Sequence, residues 1–332
     1  MYINIKKNKN KNKLSNRDCL LQGDIMIFKI KFIKNDINID NLKKYILKNC
    51  NHPFRIYNNG INYNYMNTIP KIYDFIPLNN FKEIYESNNQ AINFFIKNNT
   101  ILVIFDHGYI EGISIVNIII NDLLNLNQEI TYPTFNKTYQ NLFLINELYF
   151  LYLQNKKKTV INFKSLKVPK YLDFNTIESI RKILKKIIDI VCQHFKKKQV
   201  SVKTTINFGK SNNKNFNNLS YIDVNIKKGS TINFNKKHFF EANVINYMAG
   251  YLKFIPHSIF KNQTYKSDII LSIINLSSIK CIDIESFSLI PYSSQNCLLG
   301  MTVIKTKKKN HISLLINEKE LYYKLKHNFL NL

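Results

Sequence analysis

Five consecutive apolar residues, Ile101-Leu-Val-Ile-Phe105, run into Asp106 and His107, and two glycines, Gly108 and Gly112, follow closely. An apolar run of this length, rich in β-branched residues, predicts a strand buried on both faces. Beyond Gly112 the period changes. Ser114, Asn117, Asn121 and Asn125 recur every three or four positions in Ile113 to Leu126 and form one narrow polar stripe, the pattern of a helix packed on a sheet. A histidine therefore leaves the end of a buried strand and enters a turn before a helix. The chain holds only eight glycines, so two in one connection mark a need for backbone freedom or for close approach of another group.

The net charge of +26 suggests an anionic partner, but only Arg17, Arg55 and Arg181 are arginine and the rest of the basic residues are lysine. Lys, Asn, Ile, Tyr and Phe share A/T-rich codons, so much of the basicity is ascribed to a genome of that composition, such as a parasite's or a large DNA virus's. The field it generates is real whatever its origin. Cys19, Cys50, Cys192, Cys281 and Cys297 show no C-x-x-C spacing, which argues against a zinc site or a disulfide framework and favours a reducing compartment. No segment has the apolar length of a secretory signal or a membrane span. A soluble cytoplasmic protein is expected, with peripheral membrane contact left open.

Along the chain, residues 1–24 read as a disordered basic tail. Ile25 to Ile33 alternates as a strand, Leu42 to Cys50 follows Asp40 as a capped helix, and Asn58-Asn-Gly60 joins two strands as a hairpin turn. Ser87 to Lys97 is expected as a short helix ahead of the histidine strand. Residues 151–172 read as a connector. Asp173 or Asn175 is expected to cap a helix running to Lys198, whose Ile177, Ile180, Ile183, Leu184, Ile187, Ile188, Val191 and Phe195 keep helical spacing. Strands are predicted at Val200 to Phe208, Leu219 to Ile226, Ser267 to Leu276, Phe287 to Pro291, Cys297 to Lys305 and His311 to Ile316. The last two form a hairpin, and a terminal helix begins near Glu318.

The element order, together with His107-Gly-Tyr-Ile-Glu111-Gly112, resembles the chloramphenicol-acetyltransferase-like superfamily of CoA-dependent acyltransferases, whose signature is His-x-x-x-Asp-Gly. Wax-ester synthases, diacylglycerol acyltransferases and peptide-synthetase condensation domains are members. The chain departs from the pattern where a second histidine often precedes the catalytic one, here Asp106, and where aspartate is replaced by Glu111. Lys214-Asn-Phe216 is similar to a Gly-Asn-Phe loop without its glycine, and Asn275 stands three positions from Ser272 where the family has an adjacent Ser/Thr-Asn pair.

The resemblance implies an α/β (α+β) fold of two subdomains, mixed sheets flanked by helices with a tunnel between the halves: an N-terminal half over 25–150 carrying the motif and a C-terminal half over 173–332. It implies that His107 is the general base, that Glu111 supports the loop and that Gly112 keeps the turn tight. Ser272, Asn275 and Thr302 are the candidates for stabilising an oxyanion. It implies acyl-CoA as co-substrate, no permanently bound cofactor, no metal, and an alcohol, lipid or amine acceptor. By itself, a histidine at a strand end serves structure as readily as chemistry. Two further readings therefore stand beside the enzyme: a catalytically inactive protein of the same fold used for binding, and a basic nucleic-acid-binding protein, which is disfavoured. His194 and His257 have no partner that spacing identifies and are read as structural or surface residues.

Overall fold

The computed structural model describes residues 12–13, 25–33, 62–63, 72–73, 92–107, 115, 161–164, 166–167, 169–207, 219–233, 267–277, 284–291 and 297–330. Among the described residues, six strands fall in the first part of the chain: β1 (Asn12–Lys13), β2 (Ile25–Phe32), β3 (Asn62–Tyr63), β4 (Ile72–Tyr73), β5 (Ile92–Lys97) and β6 (Thr100–Asp106). After β7 (Lys170–Thr176) come helix α1 (Ile180–His194), β8 (Gln199–Asn207) and β9 (Leu219–Lys227). The chain continues through β10 (Ser267–Asn275), β11 (Ile284–Pro291), β12 (Cys297–Lys305) and β13 (Asn310–Ile316) to helix α2 (Lys319–Leu330). The expected helix at 42–50, the turn at Asn58 to Gly60 and the loop at 214–216 lie outside the described residues. Of the helix expected after Gly112, Ile115 is described, and it is helical and buried.

Among the described residues two mixed sheets carry the apolar cores, beside a two-stranded pairing of β1 with β3. The first has the order β11-β2-β6-β5-β4 and the second β7-β13-β12-β10-β8-β9. As its unbroken apolar run requires, β6 is the centre of the first sheet, with Ile101 to Phe105 buried on both faces. Phe28, Phe94, Phe105 and Phe287 fill one of its faces, and Ile274, Leu276 and Ile304 reach that core from the second sheet. In the second sheet, β10 lies parallel to both β8 and β12, and the remaining pairs are antiparallel. One face of this sheet carries α1 and α2, whose Ile183, Leu184, Ile187, Val191, Leu321 and Leu325 pack on Val200, Val202, Leu271 and Met301.

Three sequence expectations change. Residues 92–97 form strand β5, not the end of a helix: Ile92-Asn-Phe-Phe-Ile is an apolar, aromatic run, and Asn98 at φ 51° closes a two-residue turn into β6. Asn99 ties that turn to β2, its side chain donating to the Phe32 carbonyl at 2.6 Å and its own carbonyl accepting from Phe32 N at 2.8 Å. Asp173 and Asn175 do not cap a helix but belong to strand β7, which pairs with β13. The helix starts at Ile180, capped by the Ser179 hydroxyl, which accepts from Lys182 N. Within the segment read as a tail, Asn12–Lys13 pairs antiparallel with Asn62–Tyr63.

Strand β11 comes from the second half of the sequence yet completes the first sheet, running antiparallel to β2 from Ile284↔Phe32 to Pro291↔Met26. An edge-to-face contact of Phe28 with Phe287, centroids 4.9 Å apart, fixes it from the core side. A bulge at Glu285 is gripped from outside: Lys31 Nζ lies 2.8 Å from its carboxylate, and its carbonyl accepts from Lys309 Nζ and Asn175 Nδ2 at 3.0 and 3.3 Å. Side chains of the second sheet's strands and turn thus hold this strand of the first sheet, in addition to the apolar core between the sheets. Among the described residues no helix is long and apolar enough to cross a membrane.

Candidate functional site

His107 is the first residue past β6, at the end of the first sheet where Asp106 pairs with Ile25. The residue is half-buried and its Nδ1 is sealed from solvent. A ring held with Nδ1 inward can meet a substrate only through Nε2. Asp106, at the position where related motifs often carry a second histidine, is fully buried. Glu111 and Gly112 lie outside the described residues.

On the second sheet, the face opposite α1 and α2 departs from the usual apolar composition of an interior. Register places Ser272, Thr302, Ser313 and Asp173 side by side on β10, β12, β13 and β7. Partners in register share a face, so these residues form one polar row across four adjacent strands. Thr302 and Ser313 at its centre are each 3% exposed, while Ser272 is half-buried and Asp173 at the sheet edge is open to solvent. The Asp173 side chain hydrogen-bonds to Ser313 and to Ser288 of β11, linking the row to the first sheet. Although the residue as a whole is exposed at the sheet edge, burial of its carboxyl raises the pKa, against those two hydroxyls and the charge of Lys29.

The flanking rows complete this face. On one side stand Ile274, Ile304, His311 and Asn175. On the other, Lys203, Ile270, Gly300, Leu315 and Tyr171 are in register, with buried Lys203 3.5 Å from Asp223. A glycine in the interior of a central strand is a mark of close approach by another group. Burial of several hydroxyls, an imidazole and an ammonium on a single sheet face is costly unless each is hydrogen-bonded or paired, and convergent polar groups are a feature of binding clefts.

Of the sequence-derived oxyanion candidates, the fold brings Ser272 and Thr302 together as register partners. It separates Asn275 from them: three positions from Ser272, Asn275 lies on the opposite face, and its Oδ1 accepts from Ser277 N and Oγ at 3.1 and 2.7 Å. Its amide carbonyl thus closes the turn after β10. Three members of the polar face, His311, Ser313 and Asp173, escape the sequence reading. The signal was present in β13, where His311 and Ser313 alternate with Ile312, Leu314 and Ile316, polar against apolar in a strand buried throughout.

His194, expected as a structural or surface residue, donates from Nε2 to Glu318 Oε2 at 3.0 Å, and one ligand atom from each of His194, Glu318 and Glu320 lies within 4.8 Å of the others. Both Glu318 oxygens also accept from backbone, Oε1 from Glu320 N and Oε2 from Leu321 N, so the carboxylate acts as the N-terminal cap of α2.

No protein-family model and no curated protein matches the sequence. Solved structures do match the fold. The trichothecene 15-O-acetyltransferase of Fusarium sporotrichioides superposes with a TM-score of 0.57 at 9% identity over 94% of this chain and 90% of its own. The EpoB cyclization-docking bidomain of Sorangium cellulosum gives 0.56 at 8% identity over 97% and 84%. The epimerization domain from the third module of tyrocidine synthetase B gives 0.50 at 12% identity over 92% and 90%. These likenesses show the fold: the chain has the chloramphenicol-acetyltransferase-like architecture that its sequence resemblance implies.

Proposed function

We propose that the protein transfers an acyl group from an acyl-CoA or carrier thioester to a hydroxyl or amine acceptor, with His107 as general base. The observation that carries the reading is the placement of His107: a half-buried imidazole, Nδ1 turned inward, at the end of the central buried strand of an acyltransferase fold. An imidazole titrates close to neutral pH and so accepts a proton during reaction without being protonated at rest. In the proposed step, Nε2 takes the acceptor's proton as its oxygen or nitrogen attacks the thioester carbonyl. The carbonyl electrons move to oxygen, and the C–S bond breaks as they return. The departing thiolate then takes the proton from the imidazolium. The acceptor attacks directly, so no enzyme nucleophile is needed. The hydroxyls of Ser272 and Thr302 are assigned to the transient oxyanion, where preorganised donors have their largest effect. Glu111 is assigned to loop support and Gly112 to the tight turn.

The test is release of CoA from acetyl-CoA across a panel of alcohols, lipids and amines, resolved chromatographically, for wild type and His107→Ala. Acceptor-dependent release that disappears in the variant supports base catalysis. Biological activity retained in His107→Ala with no turnover in wild type favours the non-catalytic binding protein.

A further inference from the structure

His311 is 2% exposed in the interior of β13, and its Nδ1 is buried without a hydrogen-bond partner among the described residues. Alternation along the strand puts the ring on the same face as Ser313, one strand repeat away, and register sets it opposite Ile304, next in line to Thr302. The other wall is Phe287 of β11, whose ring lies edge-on with centroids 6.2 Å apart. The imidazole therefore stands at the junction of the two sheets, on the face that carries the hydroxyl row, with a polar atom the described protein does not satisfy. Leaving such an atom unpaired costs stability that a phenyl ring of similar size would not incur. An imidazole at this place fits a partner that arrives with substrate.

We propose that His311 is a substrate-positioning residue whose Nδ1 hydrogen-bonds a neutral hydroxyl or amide group of a substrate held against the row Ser272, Thr302 and Ser313. This rests on the acyl-transfer reading for the identity of the substrates. A neutral imidazole offers one N–H and one lone pair, which suits an alcohol or a secondary amide, and the flanking hydroxyls suit the same groups. Two sources carry that chemistry: the amides of the pantetheine arm of acyl-CoA and the hydroxyl of an alcohol acceptor.

The experiment combines His311→Phe with two-bond proton–nitrogen spectra of the wild-type histidines titrated separately with acetyl-CoA and with 1-octanol. Expected are an unchanged or higher Tm for His311→Phe, a KM raised about tenfold for one substrate and not the other, and movement of the His311 resonances with that same substrate. Should His311→Phe lose Tm, His311→Asn decides: recovery of KM by its side-chain amide supports positioning, and failure to recover overturns it. Unchanged KM values with motionless His311 resonances overturn the proposal while leaving acyl transfer standing. If wild type releases no CoA with any acceptor, the acyl-transfer reading falls, and the resonance titration still decides whether His311 meets either ligand.

Discussion

Ser201 and Asp268 bond to each other in both directions. The Ser201 amide and hydroxyl donate to Asp268 Oδ2 at 2.8 and 3.0 Å, and the Asp268 amide donates back to Ser201 Oγ at 2.9 Å. Asp268 Oδ1 takes a further donor, Ile161 N, at 2.7 Å. The clasp is buried and joins the parallel strands β8 and β10 to the chain leading into the second sheet. Asp268→Ala strands three buried donors and is expected to cost about 3 kcal/mol or more, read as a lower urea midpoint. Burial raises the Asp268 pKa, opposed by those donors and by Lys197. The native state thus holds its proton longer than the unfolded chain, so this group's contribution is greatest below its ordinary pKa and declines as pH rises through the folded value. Asp268→Asn, which does not titrate, is expected to remove that decline.

For catalysis, His107→Ala is expected to lower kcat about 10²- to 10⁴-fold with little change in Tm, since the residue is only half-buried. Thr302→Val keeps the shape at a buried position and removes the hydroxyl, with an expected loss of about 10² in kcat at similar KM. An unaffected kcat in Thr302→Val would remove that hydroxyl from the reaction.

Burial, aided by the charge of Lys309, lowers the His311 pKa to about 4. Between about 6.5 and 4 the unfolded chain binds the proton and the native protein does not. Stability from this group is therefore complete above about 6.5 and is lost as pH falls, by about 3 kcal/mol on reaching pH 4. Urea midpoints at pH 7 and pH 4.5 should differ less in His311→Phe than in wild type.

The attachment of β11 separates apolar from ionic contributions. Phe287→Ala opens a hole where the two sheets meet and is expected to cost about 3–5 kcal/mol. Glu285→Ala breaks the exposed pair with Lys31 and should cost less than about 1 kcal/mol. Paired denaturation curves check both. A larger loss for Glu285→Ala than for Phe287→Ala would reverse this account of the junction.

The strands legible in sequence are those whose patterns are local and strong. The runs at Ile25, Ile101, Leu219, Ser267 and Cys297 all form strands, as does the β12–β13 hairpin. The errors share one cause, pairing that local pattern does not reveal. Ile92 to Lys97 is strand because β6 follows across two asparagines, and Lys170 to Thr176 because β13 lies beside it. Ser272 and Thr302 were within reach as hydroxyls in strands; their shared row depends on the register of two strands joined through β11. His311 passed unnoticed inside a predicted strand because alternation shows which side a residue takes, not what that side meets.

The placement of β11 sets the timing of assembly. The ribosome releases β2 early, but the neighbour that covers its edge is more than two hundred residues downstream. Until then the nascent first sheet presents an open, apolar border, the kind of surface that chaperones guard and that aggregates when they fail. A fragment ending before Ile284 inherits that exposed border permanently, and adding the missing strand back as a separate peptide is the natural way to close it.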